Sequence, residues 1–382
     1  MQLSPVLTAT GTYPFVRLDE AKRRLAADGV ELIDFGKGDP REETDPLIRQ
    51  ALVDAVEPLM GYPLAEGLAE FRAAVTAWCL RRFGVELDPG TEVIPTYGSK
   101  EAIFHLAQVV VDPESERRLV LATEPGYPVY ERGALFAGAE FEWLPLLEAN
   151  GFLPNLDAVA DETWQRTAIV WINYPNNPTG AVAPLEFLER LAALAAEHDF
   201  LIAADEAYTE LWFDEPPHSA LEVGDRSRVA VFQTLSKRSS MTGYRSGFVA
   251  AAPELIGALR QYRPSVGTAP QEFVQRASVV AWNDEEHVER TREIYGRKRQ
   301  AMLPALTRAG IRVAGSEATM YLWLETPAGE SSDALAERLL EHGLIVSPGT
   351  FFGPSGDGYW RLALVPTQAE CERAAEILER VL

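Results

Sequence analysis

A lysine and an arginine within residues 234–245 could together bind a phosphorylated aldehyde. Lys237 follows an apolar run, 229–232, that is typical of a buried strand. A lysine amine at a strand end can form an imine with an aldehyde once its ammonium form is disfavoured. Arg245 lies eight positions later (245 − 237), and a guanidinium suits a phosphate because it donates two parallel hydrogen bonds. Taken alone, the segment is also compatible with a solvated surface loop, which is what most such segments form.

Two further segments favour one particular ligand, pyridoxal phosphate (PLP), which carries both an aldehyde and a phosphate. The apolar stretch 200–204 ends at Asp205, with Tyr208 close behind. An aspartate just past a buried parallel strand lies at the sheet edge where ligands bind, and PLP chemistry needs an anion against its ring nitrogen. Ser99 and Lys100 lie in a turn that opens the helical pattern 102–111, and a helix start of this kind is a ready anion site.

The chain resembles the class I/II aminotransferases of PLP fold type I over nearly its whole length. The spacing agrees with that family, since Asn177 and Asp205 are 28 residues apart and Asp205 and Lys237 are 32 apart. The segments that match are 98–101, 125–128, 176–180, 205–208, 236–237 and 241–245.

The expected fold class is α/β, with a large domain built on a mainly parallel sheet flanked by helices and a smaller α+β domain. Short apolar runs separated by helical patterns such as 185–196 indicate βαβ crossovers. The buried-strand candidates are 119–122, 169–172, 200–204, 229–232 and 247–250. As the resemblance implies, residues 46–282 should form the large domain, and residues 1–45 should join 283–382 in the small one.

The resemblance assigns cofactor roles to eleven residues. Lys237 should bind PLP covalently and move a proton between the substrate and the cofactor, while Asp205 should face the ring nitrogen. Asn177 and Tyr208 should bind the ring hydroxyl, and Tyr127 should stack on the ring. Tyr62 should reach the phosphate of a neighbouring subunit, which implies a homodimer. The expected phosphate ligands within the chain are Ser99, Lys100, Thr234, Ser236 and Arg245.

Substrate binding needs a second anion site. The resemblance implies that Arg361 grips the α-carboxylate, with Gly38 and Asn177 beside it. Arg263 is a candidate for a side-chain carboxylate, although it could equally cap a helix C-terminus, and Arg17 is a further candidate. Lys37 is expected to be exposed. The G-x-G at 36–38 lacks the pattern of a dinucleotide-binding fingerprint, which disfavours a nicotinamide dehydrogenase.

The sequence constrains the identity of the amino acid substrate less than it constrains the reaction class. Segments 262–275 and 282–288 resemble N-succinyldiaminopimelate aminotransferases of bacterial lysine biosynthesis, so the expected reaction exchanges an amino group between glutamate and N-succinyl-2-amino-6-ketopimelate. Aspartate, aromatic, branched-chain or LL-diaminopimelate specificity stays open. A PLP β-lyase or decarboxylase also stays open, because the cofactor carries the chemistry. A PLP-sensing transcription regulator is disfavoured because no basic face is visible.

Composition restricts the partners. The 382 residues include 35 basic and 57 acidic side chains, a net charge of −22, which argues against nucleic acid and anionic membranes. No apolar run reaches the length of a membrane span, and no secretion signal is apparent, so a cytoplasmic enzyme is expected. Cys79 and Cys371 are expected to be buried free thiols. The cations of the helical stretch 286–309 are expected to be solvated.

Overall fold

The molecule is organised around one large sheet. The computed structural model describes residues 1, 3–9 and 31–382. Strand β1 (Ile33–Asp34) belongs to a small two-stranded sheet described below. The strands of the large sheet follow it in the chain as β2 (Val93–Thr96), β3 (Leu119–Glu124), β4 (Glu140–Pro145), β5 (Thr167–Asn173), β6 (Leu201–Asp205), β7 (Val229–Thr234) and β8 (Gly247–Ala251).

The large sheet is mainly parallel and buried on both faces. Its order is β2-β8-β7-β6-β5-β3-β4, and only β8 runs antiparallel to its two neighbours. Every residue of β3, β5 and β7 is buried, as expected for parallel strands that are covered by helices on each side. Each of the five apolar runs that predicted buried strands lies within or overlaps one of these strands.

Helices cover this sheet and continue into the rest of the chain. Leu185–His198 agrees closely with the helical pattern at 185–196; it begins after Pro184 and ends at Asp199 in the left-handed conformation. The helices are α1 (Pro5–Ala9), α2 (Pro46–Asp54), α3 (Ala69–Phe83), α4 (Gly98–Val110), α5 (Val129–Phe136), α6 (Asp161–Arg166), α7 (Leu185–His198), α8 (Leu235–Arg238), α9 (Pro253–Tyr262), α10 (Glu272–Asn283), α11 (Glu286–Arg308), α12 (Ser332–Glu341) and α13 (Gln368–Val381).

A second, antiparallel sheet has its own core. Its order is β12-β13-β10-β9, and β11 pairs in parallel with β1. Helices α11 and α13 pack together, and their buried side chains join those of these strands in one apolar cluster. The strands are β9 (Val313–Gly315), β10 (Tyr321–Glu325), β11 (Leu344–Ile345), β12 (Ser347–Pro348) and β13 (Tyr359–Ala363).

The predicted α/β architecture, a mainly parallel sheet with flanking helices, is therefore confirmed. The division at residues 46–282 stays a prediction. Cys79 and Cys371 are buried free thiols, as expected. Among the helices that the structure describes, none is both long and apolar enough to cross a membrane.

The prediction that the cations of α11 are solvated is wrong for Lys298 and holds only in part for Arg292 and Arg299, which are half-buried and contact Glu210 and Ser316. Arg290 and Arg297 are exposed, but Lys298 is only 2% exposed and forms an ion pair with Glu42. Tyr295 also donates to Glu42, at 2.8 Å. A buried ammonium is tolerated when it is paired and hydrogen-bonded, and Lys298 thereby fixes the segment that follows Gly38.

The strand ends bring polar groups to one edge of the large sheet. Asn173, the last residue of β5, is in register with Asp205, the last residue of β6. Thr234 ends the adjacent strand β7. In a parallel sheet the carboxyl ends of neighbouring strands meet at one edge, and the residues expected to do chemistry therefore lie close together.

Candidate functional site

A cavity of about 580 Å³ lies where the carboxyl edge of the large sheet meets the antiparallel sheet. It is lined by strand ends, by the first turn of α4 and by side chains of β10 and β13. Twelve of the predicted site residues line it: Gly38, Ser99, Lys100, Tyr127, Asn177, Asp205, Tyr208, Thr234, Ser236, Lys237, Arg245 and Arg361.

Lys237 lies in α8, the short helix that follows β7. Its Nζ donates to the backbone oxygen of Gly38, across the cavity from the sheet. Burial lowers the pKa of Lys237 to about 8, Asp39 opposes this shift, and Arg361 and Arg245 reinforce it. The amine is therefore neutral in a sizeable fraction of molecules near neutral pH, which is the form that can attack a carbonyl carbon.

Asp205 is 5% exposed and faces the same cavity. Its Oδ2 accepts a hydrogen bond from the Tyr130 hydroxyl at 2.9 Å, whereas Oδ1 has no donor in hydrogen-bonding geometry among the described residues. Burial raises the pKa of Asp205 to about 6, and the Tyr130 hydroxyl and the Ala207 N–H oppose that rise. A buried carboxylate oxygen without a donor is costly, and a protonated ring nitrogen would supply the missing one.

Another part of the cavity lining is rich in hydroxyls and cations. Thr234 donates to the Ser236 hydroxyl at 2.9 Å, while Ser99 and Lys100 lie in the first turn of α4. Partial desolvation, together with Arg245 and Arg132, lowers the pKa of Lys100. Positive charge and a helix N-terminus thus converge, which is the arrangement that a phosphate requires.

Gly98 allows Arg245 to approach this helix start. Gly98 has φ +66°, and a Cβ there would lie 2.7 Å from Nη2 of Arg245. Arg245 donates to the backbone oxygens of Tyr97 at 3.1 Å and Thr242 at 2.9 Å. A side chain at position 98 would therefore displace the guanidinium from the α4 terminus, and the positive φ independently favours glycine.

Polar and aromatic groups also line the cavity. The Tyr208 hydroxyl lies 2.9 Å from that of Tyr321. Asn177 is held by its backbone N–H, which donates to the side chain of Asn173 at 2.8 Å. Tyr127 lies with its ring centroid 5.7 Å from that of Tyr130, so its ring borders the cavity beside the ring that binds Asp205.

Arg361 is in the middle of β13 and is 1% exposed. Its guanidinium donates to the Asn177 side-chain oxygen at 2.8 Å and to the Gly36 backbone oxygen at 2.7 Å. It lies over the rings of Tyr321 at 4.3 Å and Phe352 at 4.6 Å.

The glycine at position 38 allows the backbone to pack closely against Tyr321; it is not required for a turn. A Cβ at this position would overlap the hydroxyl of Tyr321. The backbone at Gly38 can therefore lie against the aromatic wall while its oxygen accepts from Lys237. Any larger residue would push this segment away from Arg361 and widen the cavity.

Arg263 does not line the cavity, contrary to the prediction that it binds a substrate side-chain carboxylate. It follows the last residue of α9 and is 2% exposed. Its guanidinium donates to Glu101 at 2.8 Å and to the Pro95 backbone oxygen. The alternative position, at a helix C-terminus, is the one observed, and a carboxylate of the protein already neutralises this arginine.

Two other predicted residues lie apart from the cavity or outside the described chain. Tyr62 is fully exposed and does not line the cavity, so its contact with a neighbouring subunit stays a prediction. Arg17 lies outside the described residues. Lys37, expected to be exposed, is half-buried and lines the cavity.

Sequence reasoning missed several residues of the site. Tyr130 binds Asp205, Tyr321 contacts Tyr208, and Phe352 stacks on Arg361. None of these three residues belongs to a sequence motif that would predict its contact, because each contact forms by packing between distant segments. Asn173, whose side chain donates to the Asp205 backbone oxygen at 2.6 Å, had a usable signal, since it directly follows a predicted buried strand.

These groups fit PLP. The free Oδ1 of Asp205 suits the ring nitrogen, Lys237 suits the aldehyde carbon, and the hydroxyls and cations near α4 suit the phosphate. Among the described residues, no cluster of histidine, cysteine and carboxylate side chains could hold a metal ion.

Comparisons with known proteins agree over almost the whole chain. The model of the family described as aminotransferase class I and II matches residues 30–378. An LL-diaminopimelate aminotransferase from Nitratidesulfovibrio vulgaris is 39% identical, over 100% of this chain and 99% of that protein. The crystal structure of an aminotransferase from Neisseria meningitidis has a TM-score of 0.92 and 34% identity, and covers 98% of this chain and 99% of its own. A probable N-succinyldiaminopimelate aminotransferase from Thermus thermophilus has a TM-score of 0.90 and 32% identity, with 96% and 100% covered.

Proposed function

The chain belongs to the class I and II aminotransferases, which are PLP-dependent, and we propose that it exchanges an amino group between glutamate and a keto acid of the diaminopimelate type. The observation that supports this most is the position of Lys237. Its amine lies in one cavity with Asp205 and the hydroxyl- and cation-rich start of α4, and also with Arg361. An amino acid held by Arg361 would thus present its Cα to the lysine.

We assign to Lys237 both the covalent attachment of PLP and the movement of a proton. When bound, PLP supplies an electron sink for the negative charge that develops at Cα of the amino acid. Lys237 Nζ would take the proton from Cα of the amino acid and deliver it to the carbon that carries the aldehyde in free PLP, a role suited by its lowered pKa of about 8. Asp205 would hold the ring nitrogen protonated through Oδ1, which has no donor among the described residues.

Charged and polar groups fix the orientation of the amino acid. Arg361 binds the α-carboxylate in a bidentate manner, which its planar guanidinium allows. Asn177 steers this guanidinium and, with Tyr208, binds the ring hydroxyl of the cofactor. The aromatic rings of Tyr321 and Phe352 exclude water from the ion pair, which strengthens it.

Lys37 and Asp39 are the candidates for binding the end of the substrate that is remote from the reacting Cα. Both line the cavity, on either side of Gly38. An ammonium and a carboxylate in one cavity suit a remote group that itself carries one carboxylate and one ammonium. LL-diaminopimelate has such a group, whereas its N-succinyl form replaces the ammonium by an amide and adds a carboxylate.

Two diaminopimelate substrates are therefore candidates. Unsubstituted LL-diaminopimelate is supported by the charge pair at 37 and 39 and by the name of the 39% identical relative. N-succinyl-LL-diaminopimelate is supported by segments 262–275 and 282–288 and by the name of the solved Thermus thermophilus structure. Both place the chain in lysine biosynthesis, and a cytoplasmic location follows from that proposal.

We also propose that the enzyme is a homodimer in which Tyr62 reaches the phosphate of the partner's site. Exposed apolar side chains that a second copy could cover are concentrated in one segment. They are Leu47, Val53, Val56, Leu59, Tyr62 and Leu64. Such a concentration is typical of an interface.

The test compares amino donors with the purified, PLP-loaded protein while its mass is followed by light scattering. The donors are glutamate, LL-diaminopimelate, N-succinyl-LL-diaminopimelate, aspartate and phenylalanine. Pyruvate is the acceptor for glutamate, and 2-oxoglutarate is the acceptor for the others. We expect one diaminopimelate compound to exceed aspartate by at least about 100-fold in kcat/KM. The Lys237→Ala variant should show no turnover while still binding PLP, and Arg297→Ala, which removes an exposed cation of α11, should behave as the wild type.

Each contrary outcome is specific. Turnover by Lys237→Ala would refute the role of that lysine. A preference for aspartate or an aromatic donor would keep the reaction and refute the substrate. Release of pyruvate and ammonia from a cysteine conjugate, without transfer to a keto acid, would indicate a β-lyase.

A further inference from the structure

The two residues after Lys237 face away from the cavity and contact the junction between α10 and α11. We call residues 281–287 the elbow. Arg238 is 3% exposed, and its guanidinium lies over the rings of Trp282 at 5.0 Å and Trp78 at 5.7 Å. It also donates to the Glu285 carboxylate at 2.9 Å. The lysine segment is thus joined to the elbow by stacking and by an ion pair.

Ser239 adds a hydrogen-bonded chain to this contact. Its hydroxyl lies 2.8 Å from Nε2 of His287, and Nδ1 of His287 lies 2.6 Å from Oδ2 of Asp284. The same carboxylate oxygen accepts from the His287 backbone N–H at 3.0 Å. Since the carboxylate must accept, Nδ1 carries the proton, Nε2 accepts, and the Ser239 hydroxyl donates.

The serine–histidine–aspartate order is that of a hydrolase nucleophile, but its surroundings exclude that use. Ser239 is 2% exposed and His287 is 4% exposed. Ser239 does not line the cavity that Lys237 faces. A substrate carbonyl therefore cannot reach this hydroxyl. The hydrogen-bonded chain has a structural role within the protein instead.

Burial and the charges around His287 keep it in the neutral tautomer, with the proton on Nδ1, that this hydrogen-bonded chain requires. Burial and the guanidinium of Arg238 lower the pKa of His287, while Asp284 and Asp45 oppose the shift. His287 is therefore neutral at neutral pH, and its Nε2 stays an acceptor.

The turn after Ser239 requires such restraint. Ser240 has φ +51°, a conformation that is unfavourable for a residue with a Cβ. Its backbone oxygen accepts from the Thr44 hydroxyl at 2.7 Å. A strained turn persists only where the surroundings determine it, and here His287 restrains one side while Thr44 restrains the other.

We propose that Asp284, His287 and Ser239 are positioning residues. By anchoring the turn that follows Lys237 to the elbow, they keep the amine of Lys237 at its position in the cavity. The proposal rests on the assignment of Lys237 as the PLP-binding lysine. A lysine that attacks and moves protons must be held within about 0.5 Å of its productive position. Loosening the turn should therefore reduce the chemical step, and it should let the amine become more hydrated, while Arg361 and the affinity for the amino acid are unaffected.

The test uses Ser239→Ala, with Ser332→Ala as the matched control. Ser332 is also fully buried, but its hydroxyl has no hydrogen-bond partner among the described residues. Steady-state kinetics give kcat and KM for the best donor. Stopped-flow absorbance gives the rate at which cofactor-free protein captures PLP at different pH values, and its midpoint reports the pKa of Lys237.

We expect Ser239→Ala to lower kcat roughly tenfold with KM changed less than about twofold. Its capture midpoint should rise by at least about half a pH unit, since the amine becomes less desolvated. Ser332→Ala should change neither quantity. Asp284→Asn, which keeps an acceptor for Nδ1, should retain more of the wild-type kcat than Asp284→Ala. The double variant Ser239→Ala/His287→Asn should have a kcat no lower than that of the more impaired of the two single variants.

Equal behaviour of Ser239→Ala and Ser332→Ala would overturn the proposal, as would a lowered melting temperature with unchanged kcat and midpoint. If His287→Asn fails to fold, the comparison of Ser239→Ala with Ser332→Ala still decides. Failure of the wild-type protein to capture PLP through Lys237 would refute the assignment of the lysine instead, so the two failures are distinguishable.

Discussion

Two arginines of this chain are almost equally buried, yet their surroundings give them different tasks. Arg361 is 1% exposed and Arg263 is 2% exposed. Arg263 donates to the carboxylate of Glu101 and does not line the cavity, whereas Arg361 donates to the oxygens of Asn177 and Gly36 and borders it. Burial alone therefore does not distinguish the candidate for substrate binding; access to the cavity does.

The largest expected effect is on catalysis at Arg361. Arg361→Met should lower kcat/KM by roughly 100-fold to 1000-fold for every amino donor, because it removes an ion pair with the α-carboxylate that the rings of Tyr321 and Phe352 shield. Arg361→Lys should recover only part of this loss, since an ammonium cannot donate two parallel hydrogen bonds. Steady-state kinetics over several donors measure both variants. A defect confined to one donor would mean that Arg361 reads a side chain.

The next effect concerns stability at Arg263. Arg263→Met should destabilise the fold by about 3–5 kcal/mol, because it leaves the Glu101 carboxylate without its buried partner. Chemical unfolding of the cofactor-free protein measures this change. The double variant Arg263→Met/Glu101→Gln should recover part of the loss. A rise in KM for diaminopimelate donors without any loss of stability would restore Arg263 as a substrate residue.

The smallest effect is a shift in the titration of Lys237. The neutral amine captures PLP, so the capture rate should rise with pH and level off above the lysine pKa of about 8. Arg361 contributes to lowering that pKa, so Arg361→Met should move the midpoint to higher pH. Arg263→Met should leave the midpoint where it is. A capture rate that keeps rising towards pH 10.5, the ordinary lysine pKa, would contradict the burial of this amine.

Adjacent residues of one segment show how far local reasoning reaches. The apolar run before Lys237 predicted both the strand and the position of the lysine at its end, because strand patterns are local. The contacts of Arg238 and Ser239 with the elbow join residues about 45 positions apart, such as Ser239 and His287, 48 positions apart. No spacing rule reports such contacts.

The sequence by itself determined the reaction class, the α/β architecture and twelve of the residues that line the cavity. The architecture and the strand-end side chains follow from patterns within about ten residues, whereas the reaction class and most of the site residues were implied by the resemblance to class I/II aminotransferases. Only the tertiary structure separated Arg263 from the cavity, brought Lys37 into it, and placed Tyr130 and Tyr321 against the predicted residues. These outcomes depend on which side chains meet when distant segments pack together, and that meeting is a property of the folded chain.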